Sequence, residues 1–201
     1  MIDKMDITIV YIDDDNKMRE DAFLDDVIDV VNKILYFDKP LDGISYIENN
    51  INENIVVILD WKFANSSLQG DDVLKKIESL SVLIPVIVFT GARIDATEAN
   101  KMFNGKAFSC IPKDATTETI VGVVCDAYDR IKNDIRFIIE KWILKQDLEK
   151  RNKPYMRSDA NVYTLNDILY AIRKQDQLGK ETTEGILRLA AELFTNNMRK
   201  K

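Results

Sequence analysis

Four apolar runs in this chain each end on a side chain that can do chemistry. Residues 55–59 end on Asp60, and 7–12 run into Asp13, Asp14 and Asp15. Residues 84–89 run into Thr90 and Gly91, and 107–111 lead to Pro112 and Lys113. Singly, each has an ordinary explanation, because an Asp after a strand usually caps a helix or shapes a turn. Together they have one good use. Carboxylates gathered at one place need a cation to offset their repulsion, and hard oxygen donors of this kind suit Mg²⁺. Asp60 could then give one oxygen to the metal and use the other to attack phosphorus, forming an aspartyl phosphate. The Lys113 ammonium would screen charge on the phosphoryl oxygens, the Thr90 hydroxyl could bond one of them, and Gly91 leaves room for the group to enter.

That chemistry requires the four runs to lie side by side. The β-branched run at 55–59 reads as a strand buried on both faces, as in a parallel sheet. A helix is expected over 17–33 with Asp15 as its cap, then a strand at 35–37 and helices at 43–50, 72–80 and 97–103. The strands at 86–89 and 108–111 complete five βα units. The fold class is therefore α/β, a doubly wound five-stranded parallel sheet with right-handed crossovers. Ligands of such sheets bind beyond the carboxyl ends of the strands, where the four groups would meet.

In their order and gaps, Asp13-Asp14, Asp60, Thr90 and Lys113 resemble the receiver domain of two-component response regulators. The resemblance covers roughly residues 5–128. It implies a flavodoxin-like sheet of order 2-1-3-4-5, with Asp60 as phosphoacceptor, Thr90 as switch hydroxyl and Lys113 as the phosphate-pairing cation. Asp13, Asp14, Asp60 and the backbone carbonyl of Lys62 would be the Mg²⁺ ligands. It also implies a histidine kinase as phosphodonor, a bacterial setting, and a protein that catalyses only its own phosphorylation and dephosphorylation. This chain departs from the family pattern in four ways. Asp114 follows Lys113 where the family has proline, which bears on a cis peptide there. Cys110 occupies the place of the switch aromatic, with Phe108 on the same strand face. The loop after Asp60 is longer, with Gly70-Asp71 as its expected anchor, and Lys62 places a cation beside the site. A haloacid-dehalogenase phosphatase is the enzymatic rival, but Asp13-Asp14-Asp15 lacks that family's Thr.

From Thr117 the helical pattern runs to about Asn152, predicting one long fifth helix. Residues 1–128 would be the receiver unit, 129–152 the extended helix as connector, and 153–201 a helical hairpin. Phe137, Ile138, Ile139, Trp142, Ile143 and Leu144 make the connector too apolar to stay uncovered. Thr164 and Asp167 have capping-box spacing, and Gly179 is expected to break the chain before a last helix carrying Ile186, Leu187, Ala190, Leu193 and Phe194. The expected output is a homodimer or a downstream protein bound through these helices. A phosphorylation-independent docking module is the alternative.

Residues 153–201 hold nine Lys or Arg against six Asp or Glu, within a chain of net charge −6. DNA binding through that basic tail is a further alternative, but two helices are few for a helix-turn-helix domain and nucleic acid is not the expected partner. No histidine occurs in the 201 residues, which excludes every mechanism that needs one of its own. Two cysteines inside apolar segments, an acidic start and no long apolar run point to a cytoplasmic protein without a membrane span.

Overall fold

The computed structural model describes residues 4–15, 17–18, 21–91, 93–158 and 161–198. The chain divides into two compact units, Met1–Lys132 and Asn133–Lys201. In the first, β1 (Met5–Ile12), α1 (Phe23–Val30), β2 (Val31–Phe37), α2 (Pro40–Asn49), β3 (Ile55–Leu59), α3 (Gly70–Leu80), β4 (Val86–Thr90), α4 (Ala96–Asn104), β5 (Ser109–Pro112) and α5 (Thr117–Asn133) alternate. The strands pair in parallel in the order β2-β1-β3-β4-β5, the order expected. Every residue of β3 and β4 is buried, as a sheet covered on both faces requires.

Register carries the strand ends to one edge. Ile12 pairs with Leu59, so Asp13 and Asp60 leave the sheet together, and the Asp60 N–H donates to the Ile12 carbonyl at 2.9 Å. Thr90 pairs with Pro112, which brings Lys113 beside the end of β4.

The first helix is shorter than the apolar spacing predicts. Asp15 does not cap it: its carboxylate accepts from Lys17 N and closes a turn, while α1 begins at Phe23, whose N–H donates to Asp21. Residues 19 and 20 lie outside the described residues. At the other end Val31 is extended, because it pairs with Met5 of β1 and, past an irregularity in the register, 33–37 pair with Thr8–Ile12. Sheet pairing by β-branched residues outweighs continuation of the helix. The second helix, by contrast, starts earlier than expected, at Pro40, whose fixed φ suits a first helical position.

The single long fifth helix is not present. α5 stops at Asn133, and Asp134 leaves helical geometry (ψ 120°) to cap α6 (Ile135–Leu144) by accepting from Arg136 N. Asp147 does the same for α7 (Leu148–Arg151). The apolar period runs through both breaks, so periodicity alone joined three helices that two aspartate caps separate. Residues 129–152 are therefore not one continuous connector.

The second unit continues with an antiparallel hairpin, β6 (Pro154–Ser158) and β7 (Asn161–Thr164), where helices alone were expected. The Thr164–Asp167 capping box is present and opens α8 (Leu165–Lys174). The chain then breaks at Gln175, which has φ 53°, and not at Gly179. Gly179 lies inside α9 (Gln177–Met198), where a Cβ would sit 2.3 Å from the Ala171 carbonyl oxygen. Glycine there lets α9 approach α8, which is a packing role and not a breaking one. Phe137, Ile139 and Ile143 of α6 and Leu165, Ile168, Leu169 and Ile172 of α8 form this unit's core. Glu140 is buried among them and pairs with Arg173. Ile186, Leu187 and Leu193 are exposed, and the side chain of Phe194 lies outside the described residues. Among the described residues, no helix is long and apolar enough to cross a membrane.

Candidate functional site

Asp13 is fully buried at the end of β1. Its Oδ2 accepts from the Tyr11 hydroxyl at 3.0 Å and from Lys113 Nζ at 2.6 Å, and its Oδ1 accepts from Asp15 N at 2.9 Å. Asp60, buried at the end of β3, faces the same ammonium through Oδ1 at 3.2 Å. Asp14 is half-buried, and its Oδ2 accepts from the N–H groups of Ala64 and Asn65 at 2.8 and 2.9 Å. Those bonds fasten the loop after β3 to the loop after β1. Thr90 is buried at the end of β4, and its carbonyl accepts from Lys113 N at 3.0 Å.

The expected residues thus converge. Oxygens of Asp13, Asp14 and Asp60 lie within 4.8 Å of one another, with Lys113 bridging two of the three. Three carboxylates against one ammonium leave excess negative charge, and the donors are all hard oxygens, so the set fits Mg²⁺. Lys62 stands two residues after Asp60 with its side chain exposed and its Nζ paired to Glu98 of α4 at 3.0 Å. The expected loop anchor is Gly70, whose N–H donates to the Trp61 carbonyl at 3.1 Å. A Cβ on Gly70 would come within 2.6 Å of the Trp61 ring and 2.7 Å of its Cα, so only glycine allows this approach. At the switch position Cys110 is exposed, and Phe108 is half-buried with the Arg130 guanidinium 5.5 Å over its ring. No peptide bond among the described residues is cis.

Three residues that matter here carry no signal at the level of spacing. Tyr11 reads only as a strand residue, Trp61 as part of a polar loop, and Glu98 as helix surface. Trp61 is buried, and its indole N–H donates to the Glu98 carboxylate. That contact joins residues far apart in sequence, so no local pattern could announce it.

Burial raises the Asp60 carboxyl to about 6, and repulsion from Asp13 adds to this, while Lys113 pulls in the opposite direction. Burial works to lower Lys113, but its bonds to Asp13 and Asp60 outweigh that and hold it above its ordinary value, so it stays an ammonium. The Tyr11 phenol is raised by burial and by Asp13, which keeps it a hydrogen-bond donor. A stability effect follows for the metal-free protein. Asp60 binds its proton more tightly in the folded chain than in the unfolded one, whose value is 3.8. Its contribution is therefore fully present below that value and is lost as pH rises through about 6. Denaturant titrations followed by Trp61 emission should show wild type gaining on Asp60→Asn as pH falls from neutral. The gain is on the order of 2–3 kcal/mol at most, and a flat difference would remove Asp60 from the account.

No protein-family model and no curated protein matches this sequence. Solved structures do. A response regulator receiver domain from Clostridium thermocellum is 26% identical, with 63% of this chain and 97% of that one covered at a TM-score of 0.55. A CheY-like receiver domain protein from Methanospirillum hungatei superimposes at a TM-score of 0.57 with 17% identity, over 65% of this chain and 99% of its own. A DNA-binding response regulator of the LuxR family from Staphylococcus aureus is 25% identical at a TM-score of 0.51, over 61% and 98%. In fold, the first unit is similar to response regulator receiver domains. This likeness supports a place for the chain in two-component signalling.

Proposed function

We propose that this protein is a cytoplasmic response regulator phosphorylated on Asp60 by a histidine kinase. The observation that carries the reading is the buried Asp60 carboxylate joined to Asp13 by the Lys113 ammonium, beside Asp14 at the mouth of the sheet. An Asp60 oxygen attacks the phosphorus of a phosphohistidine. The O–P bond forms as the N–P bond breaks, and the imidazole nitrogen leaves with the electron pair. Lys113 offsets the charge that develops on the phosphoryl oxygens, and the Thr90 hydroxyl donates to one of them once the group is attached. Asp13, Asp14, Asp60 and the Lys62 carbonyl would hold Mg²⁺, which supplies charge neutralisation at the phosphoryl group. Tyr11 and Asp15 N–H fix Asp13, so the carboxylate pair is held in place before any donor arrives.

The protein turns over no other substrate in this reading. It is a switch whose two conformers differ in their contacts to the phosphoryl group. Output passes through the second unit, to a homodimer or a downstream protein. Titration with Mg²⁺ and then beryllofluoride, a phosphoryl mimic, tests the reading in a Trp142→Phe background where Trp61 is the sole indole. A saturable, Mg²⁺-dependent change in Trp61 emission is expected. Silence of Trp61 under both additions would favour the phosphorylation-independent docking module instead.

A further inference from the structure

The two residues that follow Asp60 both grip one side chain on α4. Trp61 donates its indole N–H to Glu98, and Lys62 Nζ lies 3.0 Å from the same carboxylate. These bonds hold the Glu98 carboxyl below its ordinary value, Trp61 first and Lys62 second. The Trp61 bond is structurally demanding. The indole is 1% exposed, and its N–H would otherwise be a buried donor without a partner. Meanwhile α4 has little else to hold it down, since Met102 is its one buried residue and Phe103 is 83% exposed. Lys101 adds ion pairs to Asp71 at 3.8 Å and to Glu98 at 4.0 Å, but such exposed pairs contribute little. A helix with so little apolar burial belongs to the weakly held part of a fold, where one charge-assisted bond shifts its equilibrium.

We propose that Glu98 is a positioning residue that ties α4 to the phosphorylation loop, and that a phosphoryl group on Asp60 draws Lys62 away from it. This rests on the reading of Asp60 as phosphoacceptor. Lys62 pairs with Glu98 and stands two residues from Asp60, and its half-exposed side chain leaves it able to swing. Loss of Lys62 leaves Glu98 with the Trp61 bond alone, and α4 loosens. The device would serve where Cys110 replaces the usual switch aromatic.

Hydrogen exchange of residues 96–104 in the full chain, with and without Mg²⁺-beryllofluoride, tests this, with Trp61 emission (Trp142→Phe background) recorded in parallel. In wild type, α4 exchange should rise about tenfold or more on addition of the mimic, the scale of one lost charge-assisted bond. Glu98→Ala should exchange fast from the outset and respond no further, while still binding the mimic. Lys62→Met should exchange in α4 as mimic-bound wild type does and respond no further, and Lys62→Arg should restore the wild-type response. If Trp61 reports binding while α4 exchange in wild type is unchanged, the tether is overturned and the phosphoacceptor reading stands. A wild-type response in Glu98→Ala overturns it equally. If neither probe responds in wild type, the phosphoacceptor reading falls and the tether with it.

Discussion

Asp60→Asn should abolish covalent phosphorylation: incubated with Mg²⁺ and a phosphohistidine donor, it is expected to gain no phosphoryl mass where wild type should gain one base-labile group. The amide keeps the size and burial of the carboxylate, but its uncharged oxygen is too weak a nucleophile to attack phosphorus. Asp13 cannot substitute, because its Oδ2 is committed to Tyr11 and Lys113 and its Oδ1 to Asp15 N. Nor can Asp14, one of whose oxygens is held by Ala64 and Asn65. Lys113→Ala should slow uptake by about 100-fold, the scale of removing one preorganised donor to a developing anion. Intact-mass spectrometry over a time course reads both. Uptake by Asp60→Asn at the wild-type rate would mean that another side chain is the acceptor, and the roles assigned here would have to be redrawn.

Glu140→Ala should cost the second unit about 3–5 kcal/mol, read by Trp142 emission in urea in a Trp61→Phe background. The Glu140 and Arg173 side chains are 8% and 11% exposed, and Glu140 Oε1 accepts from Arg173 Nε at 2.9 Å and from Nη2 at 2.5 Å. Removing the carboxylate takes the Glu140 charge away from a guanidinium almost shielded from water, and that loss accounts for the effect. The double replacement Glu140→Met with Arg173→Met should recover most of it, since apolar groups of similar volume avoid the desolvation of both ions. A loss under about 1 kcal/mol for Glu140→Ala would show that water reaches the pair freely.

The sheet and most of its site were legible because both depend on short-range regularity. A β-branched run at 55–59 can hardly be anything but a buried strand, and parallel pairing sends the residue after each strand to the same edge. Asp13, Asp14, Asp60, Thr90 and Lys113 could therefore be grouped before any contact was known. Their spacing also carried the likeness to receiver domains. The errors fell where two local rules competed. At 17–33 and 117–152 the apolar period continued through a structural break, because a helix face and a strand entering the sheet share residues such as Val30 and Val31, and because an Asp can cap a new helix without disturbing the stripe. Gly179 was misread for a related reason. Glycine serves equally to end a helix and to let two helices touch, and only the nearby Ala171 carbonyl distinguishes the two uses.

The kind of strand, the groups at the strand ends and the chemistry those groups can share are readable from the order of residues. These follow from side-chain type and from periods of two and 3.6, which act over a few residues. It takes the packing of distant segments to set Lys113 between Asp13 and Asp60, to bring Tyr11 and Asp15 N–H to Asp13, and to join Trp61 and Lys62 to Glu98. That packing likewise makes Glu140 a buried charge and not a surface one. Such facts depend on which distant segments the packing brings together, and on the protonation that burial then imposes. No residue carries that information in its own neighbourhood of the chain.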